Sequence, residues 1–484
     1  MRYIIYTLTA ILFLLFTDSA QAQEKWDLRK CVDYALANNI SIKQADVQAK
    51  IAAVQYNQSK ENVYPTVGFS NSTSYNNGLH QDPTTFSLIT QGYLASGFQL
   101  QASAQIFNWF SRQNTIAANH WQEEAAKATT DKLRNDISLT IANSYLQILL
   151  SKEQQKIADV QLQQSKAQLS NTQKLVNAGS LPELNATELE AQVEEDSANY
   201  ISAKGNVDQN ILVLKADMNM DAAVSFEVEE PPVESIPIEN IADLQPDAVY
   251  ILALANQPLQ RANDFKLKAA EKNAAIAKAG MYPTFSAFGD LSTSYIASKT
   301  ALYQQNPTGI YDSTGYVASV GGVNYSVLQP ITQEGNKIGY YRTDAFGTQL
   351  SDNFNESVGI TLSVPIFSGG SLRSSWQIAK LNIRTAELQR DADNQTLKQN
   401  IYQAYNAALV ALEKFTASKK NVDASQRSYD FAAKRYAVGM LSTIELITDQ
   451  NSLLSAKLQY VQNQFDYVFK MKVLEFYKGQ GLKL

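Results

Sequence analysis

Apolar and polar residues run through this chain in three different rhythms. The first is a single unbroken run, Ile4 to Phe16, preceded by Arg2 and followed by Ala20-Gln21-Ala22. That order predicts a secretory signal peptide over residues 1–22, cut before Gln23. The run is shorter than a bilayer span. The second rhythm has a period of seven. Ile401, Ala408, Phe415, Val422, Tyr429 and Tyr436 follow one another at that spacing, and so do Ile141, Ile148, Leu162, Leu169 and Val176, with Gln155 as one polar exception. Both series lie in stretches of 68 residues, 111–178 and 371–438, that contain neither Gly nor Pro. A sustained repeat of this kind predicts helices packed along a narrow supercoiled seam, each about 100 Å long.

The third rhythm has a period of two. Phe98, Leu100, Ala102, Ala104 and Ile106 alternate with Gln99, Gln101, Ser103 and Gln105; Val358, Ile360, Leu362, Val364 and Ile366 alternate with Gly359, Thr361, Ser363 and Pro365. The opposing strands, about 66–75 and 284–295, alternate less cleanly through Val67, Phe69, Phe285, Ala287 and Tyr295. Segments of about ten residues, apolar on one face and small or polar on the other, are the pattern of a transmembrane β-barrel. Four strands cannot close a barrel, since the smallest has eight. If these hairpins span a membrane, several chains must pool them.

The chain also repeats itself. Ala35-Leu36-Ala37-Asn38 returns as Ala253-Leu254-Ala255-Asn256 and Tyr64-Pro65-Thr66 as Tyr282-Pro283-Thr284, both at an offset of 218. Ile106-Phe107 and Gly179 return as Ile366-Phe367 and Gly439 at an offset of 260, so the second half carries an insertion, which falls in 296–355 and reads as a long Gly-, Asn-, Ser-, Thr- and Tyr-rich loop. The resulting layout is a first repeat at 23–220, an acidic linker at 221–246 and a second repeat at 247–484. Each repeat has a leading helix, a hairpin (about 66–107 and 284–367), a long helix (111–178 and 371–438) and a return helix (183–217 and 443–478). The leading helices are predicted at about 28–61 and 247–279. The predicted fold class is mostly α with a transmembrane β part.

Composition narrows the chemistry. Of 484 residues, 18% are charged and 45% hydrophobic, with 25 Tyr, 19 Phe and 4 Trp, which is ample area for a folded chain. A net charge of −6 without a basic cluster argues against nucleic acid as a partner. One Cys and two His leave little for structural metal, disulfides or histidine catalysis. Cys31 reads as a lone buried thiol, and His80 and His120 lack a second ligand at usable spacing. No G-x-x-x-x-G-K-[ST], G-x-S-x-G or H-E-x-x-H motif occurs. The reading is a protein that is not an enzyme, with no cofactor and no metal.

The order of these features, with Tyr-Pro-Thr at each strand start, Pro365-Ile366-Phe367-Ser368-Gly369-Gly370 at one strand exit and Arg435-Tyr436-Ala437-Val438-Gly439 at one helix end, resembles the TolC-type outer-membrane efflux protein family. The first half departs from it, with Leu175 in place of the Arg, Asn185 where Glu445 stands, and Ile106-Phe107-Asn108-Trp109-Phe110 at the exit. The resemblance implies a homotrimer whose twelve strands form an outer-membrane barrel in lipid, continued by a periplasmic α-helical barrel. It also implies a Gram-negative outer-membrane location and service as a passive exit duct of a tripartite efflux or type I secretion system. The partners it implies are a periplasmic adaptor protein and an inner-membrane transporter. The competing reading is a soluble or surface-attached coiled-coil structural protein with its hairpins packed internally.

Gly179 and Gly439 stand where a long helix must reverse, and Leu181, Met440 and Leu441 beside them would give such a tip an apolar surface for an adaptor, or would only staple the turn. The resemblance places an acidic residue lining a periplasmic constriction near Glu445. Asp449 and Glu188 are further candidates, and three copies would form a negative ring. A helix-N-terminal Glu favoured by the dipole explains Glu445 equally well.

Overall fold

The computed structural model describes residues 25–81, 88–232, 236–299, 301–340 and 343–479, so the predicted signal peptide lies outside the described residues. The chain divides into two units, and each draws on both sequence halves. The helical unit takes residues up to Asn57, Asn114–Ala274 and from Trp376 on; the strand unit takes Gln58–Gln113 and Ala275–Ser375.

In the helical unit the leading helix of each half is broken. Helix α1 (Leu28–Asn38) is followed by α2 (Ile40–Glu61) across Asn39, whose Oδ1 accepts from Ser41 N at 2.9 Å and so starts α2, while its Nδ2 donates to Asp217 O at 3.1 Å. In the second half α5 (Pro246–Asn256) and α6 (Pro258–Ala279) break at Gln257, ahead of a proline that cannot continue a helix. The long helices are α3 (Ser111–Asn177) and α8 (Ser371–Ala437), 67 residues each; the return helices are α4 (Glu183–Asp217) and α9 (Thr443–Tyr477), 35 residues each. None of the twelve heptad positions named above is exposed, and Ile141, Ile148, Leu162, Ile401, Ala408 and Tyr429 are buried.

Tyr145 and Tyr405, which correspond between the halves, both hold the linker. Tyr145 Oη donates to Glu229 O at 2.8 Å, and Gln245 Nε2 donates to Tyr405 Oη at 3.3 Å. Phe226, Val228 and Leu244 of the linker are buried, and Val228 bridges to Trp26. Lys472, paired with Glu475 in a buried ion pair, donates to Pro237 O, and Glu475 accepts from Glu239 N at 2.7 Å. An acidic, proline-bearing segment is thus pinned to α3, α8 and α9 by specific polar contacts. Cys31 is fully buried, and desolvation pushes its thiol up to about 12, so it is inert at neutral pH.

A polar cluster interrupts the apolar seam between α3, α4 and α9. The Asp196 carboxylate accepts from Ser165 Oγ and, at 3.0 Å, from Gln192 Nε2; Gln450 Nε2 donates to Ser165 Oγ at 3.0 Å. Gln192 and Asn451 exchange amide hydrogen bonds. Asp196, Ser165, Gln192 and Gln450 are all buried. Such a network is costly unless satisfied, and it fixes one helix register because a shift would leave its members unpaired.

The strand unit contains one open sheet in the order β1-β2-β3-β6, all antiparallel. Its strands are β1 (Thr66–Gln81), β2 (Leu88–Phe107), β3 (Thr284–Ser298) and β6 (Asn355–Ser363). The insertion at 296–355 is where the sequence reading needs correction. It is not a loop: β4 (Ala301–Val320) and β5 (Val323–Tyr340) form a separate two-stranded ribbon, followed by α7 (Phe346–Asp352). The glycines that suggested a loop sit at breaks in a strand pair. Gly309 and Gly315 have positive φ beside register shifts, and Gly321-Gly322 make the tip turn. The second-half strand also ends at Ser363, before Pro365, so Val364 and Ile366 lie outside it.

Helix α7 completes the sheet where β6 runs out at Ser292↔Asn355. Gln349 accepts from Ile296 N at 2.9 Å and donates to Ile296 O at 3.0 Å, and Asn353 donates to Ser294 O at 2.8 Å. Two amide side chains thus replace the missing ladder bonds. At the opposite end the halves share a turn but not its residues: Gly369 and Gly370 have φ +61° and +82°, and Trp109 and Phe110 hold φ +53° and +62° in the same places. A left-handed conformation costs a side-chain-bearing residue about 1–2 kcal/mol. Ring contacts of Trp109 with Tyr282 (4.9 Å) and Phe107 (5.5 Å) offset part of that cost.

Replacing Asp196 by Ala strands the Ser165 hydroxyl and the Gln192 amide in the core. The expected loss is about 3 kcal/mol, against about 1 kcal/mol for Asp196→Asn, which keeps an acceptor. Denaturant unfolding followed by far-UV circular dichroism reads both; equal midpoints for the two variants would contradict the role given to the carboxylate.

Candidate functional site

No side-chain cluster suited to metal binding occurs among the described residues, and His80 and His120 sit in ring contacts with Tyr93 and with Tyr56 and Trp121. The arrangement that can carry function is a surface. Because paired residues on neighbouring strands share a face, the register sorts the sheet into rows. Val67, Ala102, Gly289 and Val358 stand in one row, with Ala104, Ala287 and Ile360 in the next of the same face; Phe69, Leu100, Leu291 and Glu356 stand on its other side. The intervening rows belong to the opposite face: Gly68, Gln101, Asp290 and Ser357, then Ser70, Gln99, Ser292 and Asn355. Gln99 Nε2 donates to Asp290 Oδ2 at 2.7 Å across the polar face. Over these rows one face is therefore apolar apart from Glu356 and the other polar. Farther along, the apolar face turns mixed, with Asn71 and Thr293 beside Phe98 and with Thr73 and Ser96 beside Tyr295. Val67, Phe69, Val358, Ile360 and Leu362 on it are all exposed.

The dimensions fit a membrane. On β3 this face runs from Phe285 to Tyr295, ten residues apart, with an aromatic ring at each end. That is about 33 Å along the strand and about 25 Å in height at the usual tilt, the thickness of the apolar band of an outer-membrane barrel. No described helix is long and apolar enough to cross a membrane.

The second surface is at the helix reversals, in the helical unit. Both close as Schellman motifs. Gly179 N donates to Val176 O and Ser180 N to Leu175 O, each at 2.8 Å; Gly439 N donates to Tyr436 O and Met440 N to Arg435 O, each at 2.9 Å. Gly179 and Gly439 have φ +77° and +74° with open space around them, so glycine is required by the backbone angle alone. Met440 is 68% exposed, while Leu181 and Leu441 are half-buried. Leu441 packs beside Tyr436 against the cluster of Tyr429 and Leu446, so it staples the turn. Exposed Leu184, Val438 and Ile444 were not singled out from sequence, although all three lie within six residues of a turn glycine.

The acidic candidates are not equivalent. Glu445 is the N3 residue of a capping box: Ser442 N and Ser442 Oγ donate to its Oε2 at 3.0 and 2.8 Å, and Glu445 N donates to Ser442 Oγ at 3.3 Å. The sequence Ser442-Thr443-Ile444-Glu445 carries this signal openly. The backbone donor first, and the hydroxyl second, hold the Glu445 carboxyl below the usual carboxylate range. Its capping contribution is present at neutral pH and is lost as pH falls through that lowered value. Asp449 accepts from Ser428 Oγ at 3.1 Å, which ties α9 to α8, and Glu188 is half-buried on α4. The first-half counterpart of the cap is Pro182, which makes no side-chain capping bond.

Ser442→Ala removes the acceptor for Glu445 N. Amide exchange in the first turn of α9 is expected to quicken about fivefold, the loss of a typical cap. Exchange at the start of α4 serves as the internal reference and should not change.

Known proteins match the chain along most of its length. The profile of the family described as outer membrane efflux protein matches residues 31–219 and 249–470. Outer membrane protein TolC of Escherichia coli strain K12 is 22% identical over 459 residues, 94% of this chain and 81% of TolC. The probable outer membrane lipoprotein SilC of Salmonella typhimurium is 22% identical over 464 residues, 92% of this chain and 83% of SilC. The solved structure of CusC superposes with a TM-score of 0.74 at 15% identity, covering 96% of both chains. VceC of Vibrio cholerae gives 0.70 at 16% identity, covering 94% of this chain and 97% of VceC. The uncovered apolar sheet face and the paired long helices with glycine reversals are thus accounted for together: the chain belongs to the outer membrane efflux protein family, and its fold is that of the outer-membrane channels.

Proposed function

We propose that three copies of this chain assemble into a single outer-membrane exit duct, each contributing four strands to a closed 12-stranded barrel. The observation that carries this reading is the open sheet, which combines a membrane-high apolar face with two unpaired edges, β1 and β6. In hydrocarbon an unpaired backbone group costs several kcal/mol, so β6 of one copy must pair with β1 of the next. The helical unit supports the same count of neighbours, because it leaves two heptad stripes uncovered. Ile40, Val47 and Val54 on α2 are exposed at spacing seven, and Ile378, Leu381 and Leu388 on α8 form a second stripe. Such stripes are seams awaiting partner helices, which would build a helical tunnel in the periplasm. The competing reading, a soluble coiled-coil protein with its hairpins packed internally, would need an element over Val67, Phe69, Val358, Ile360 and Leu362. Among the described residues these stay exposed, with α7 reaching only Phe98 and Tyr295 of the same face.

At the helix reversals, Gly179, Leu181, Gly439 and Met440 form the surface offered to a periplasmic adaptor, with Leu184 and Ile444 enlarging it and Leu441 holding the turn from within. The adaptor would link the duct to an inner-membrane transporter that supplies the energy. Of the three acidic candidates, Glu445 is the strongest for a negative ring at a constriction, since it alone is exposed while Asp449 and Glu188 are half-buried. Asp449 and Glu188 are weaker, because Asp449 already serves an interhelix contact and Glu188 is partly covered.

Membranes carrying the full chain should yield, in unboiled detergent samples, a band near three times the chain mass that collapses to the monomer on heating. A monomer extracted by carbonate without detergent would end the barrel reading. In planar bilayers Glu445→Gln should lower the preference for cations over anions by at least twofold, while Glu188→Gln leaves it within error. Unaltered reversal potentials in Glu445→Gln remove that residue from the ring.

A further inference from the structure

The β4–β5 ribbon has no role in the barrel just described. It leaves the sheet between β3 and β6, at the end where β1 also turns into β2. That end is opposite to the strand ends that join the long helices, such as Phe107, which precedes Ser111 of α3 by four residues. If the helices are periplasmic, the ribbon projects from the outer mouth. It pairs densely within itself and makes no extended contact with any other described element. A free two-stranded hairpin is marginal in water, and this one is about 60 Å long.

Its tip is amphipathic. The register places Val320 beside Val323 and Ala318 beside Tyr325 on one face, and Ser319 beside Asn324 and Val317 beside Ser326 on the other. Val320, Val323 and Tyr325 are all exposed. From Ser313 to Gln333 there is no Asp, Glu, Lys or Arg. A lipid surface would call for basic and Trp residues flanking the apolar face, and a charged partner would call for complementary charge; the tip has neither. An uncharged apolar face does suit identical copies of itself, since nothing repels them.

We infer that the three ribbons of the assembly pack against one another through their Ala318-Val320-Val323-Tyr325 faces, forming a sheath around the outer end of the duct. This rests on the trimer reading above. Twelve strands about 4.8 Å apart, tilted by about 40°, make a barrel of roughly 12 Å radius. The ribbon roots then stand about 20 Å apart, a third of the ribbon's length, and each root adjoins the β6 edge at which two copies meet. Tethering at this distance gives an effective concentration in the millimolar range, enough to hold even a weak apolar contact closed.

The test uses full-length Val323→Cys and Asn324→Cys chains in outer membranes, treated with a bismaleimide of about 8 Å reach. The buried, inert Cys31 gives wild type as the blank. The expected result is a covalent dimer at least tenfold more abundant for Val323→Cys than for Asn324→Cys. Equal yields overturn the sheath, and so does an environment-sensitive label at position 323 that reports hydrocarbon lipid. The unboiled trimer band is read in the same samples. A trimer with no preferential cross-link sinks the sheath alone, whereas loss of the trimer in wild type sinks the barrel beneath it. A chain in which 303–338 is replaced by Gly-Gly should keep the trimer band, because the ribbon pairs with no strand of the sheet.

Discussion

A backbone N–H or C=O in hydrocarbon has no water to fall back on, and much of this chain's organisation follows from that. The sheet satisfies its inner ladders within one chain and leaves the outward edges of β1 and β6 open. Even short gaps are closed locally: where β6 ends, Gln349 and Asn353 of α7 take over its hydrogen bonds to β3. The two amides close a short stretch of edge, whereas the edges of β1 and β6 keep their backbone groups open along the strand.

The helical unit solves a different problem. A 67-residue helix has no hydrophobic face wide enough for a globular core, so its apolar residues are confined to narrow seams. Narrow seams define register weakly when every layer is aliphatic. The Asp196 cluster, the Gln168 to Tyr429 contact at 2.9 Å and the Thr172–Tyr436 hydroxyl contact at 3.2 Å place polar groups that match in one alignment only. Stability is given up for specificity at these layers. The linker contributes in the same way, through the buried Lys472–Glu475 pair and the two corresponding tyrosines.

Function here resides in surfaces rather than in a pocket. The apolar sheet face, the uncovered heptad stripes and the glycine reversals are each incomplete in one chain. Their incompleteness is what the proposed assembly of several copies would resolve.

Much of this was legible in residue order because it rests on periodicity. The seven-residue repeat marked both long helices, the alternation at 98–106 marked β2, and the glycines at 179 and 439 marked the reversals, since each pattern reflects local geometry that no distant contact can alter. Features that depend on a pairing partner leave no such periodic mark. Gly309, Gly315 and Gly321 look like loop residues until β5 is seen pairing with β4 across them. The capping box at Ser442 and Glu445 is as local as the repeats and stands openly in the sequence. The left-handed backbone at Trp109 and Phe110 could not be foreseen, because only packing against Tyr282 makes it tolerable there. Local repeat and propensity therefore settled which segments are helix or strand and where they reverse; which strand lies beside which, what α7 covers, and which polar side chains meet inside the seams were decided by contacts that no local pattern records, between residues 31 positions apart at Ser165–Asp196, 53 at Ile296–Gln349 and 261 at Gln168–Tyr429.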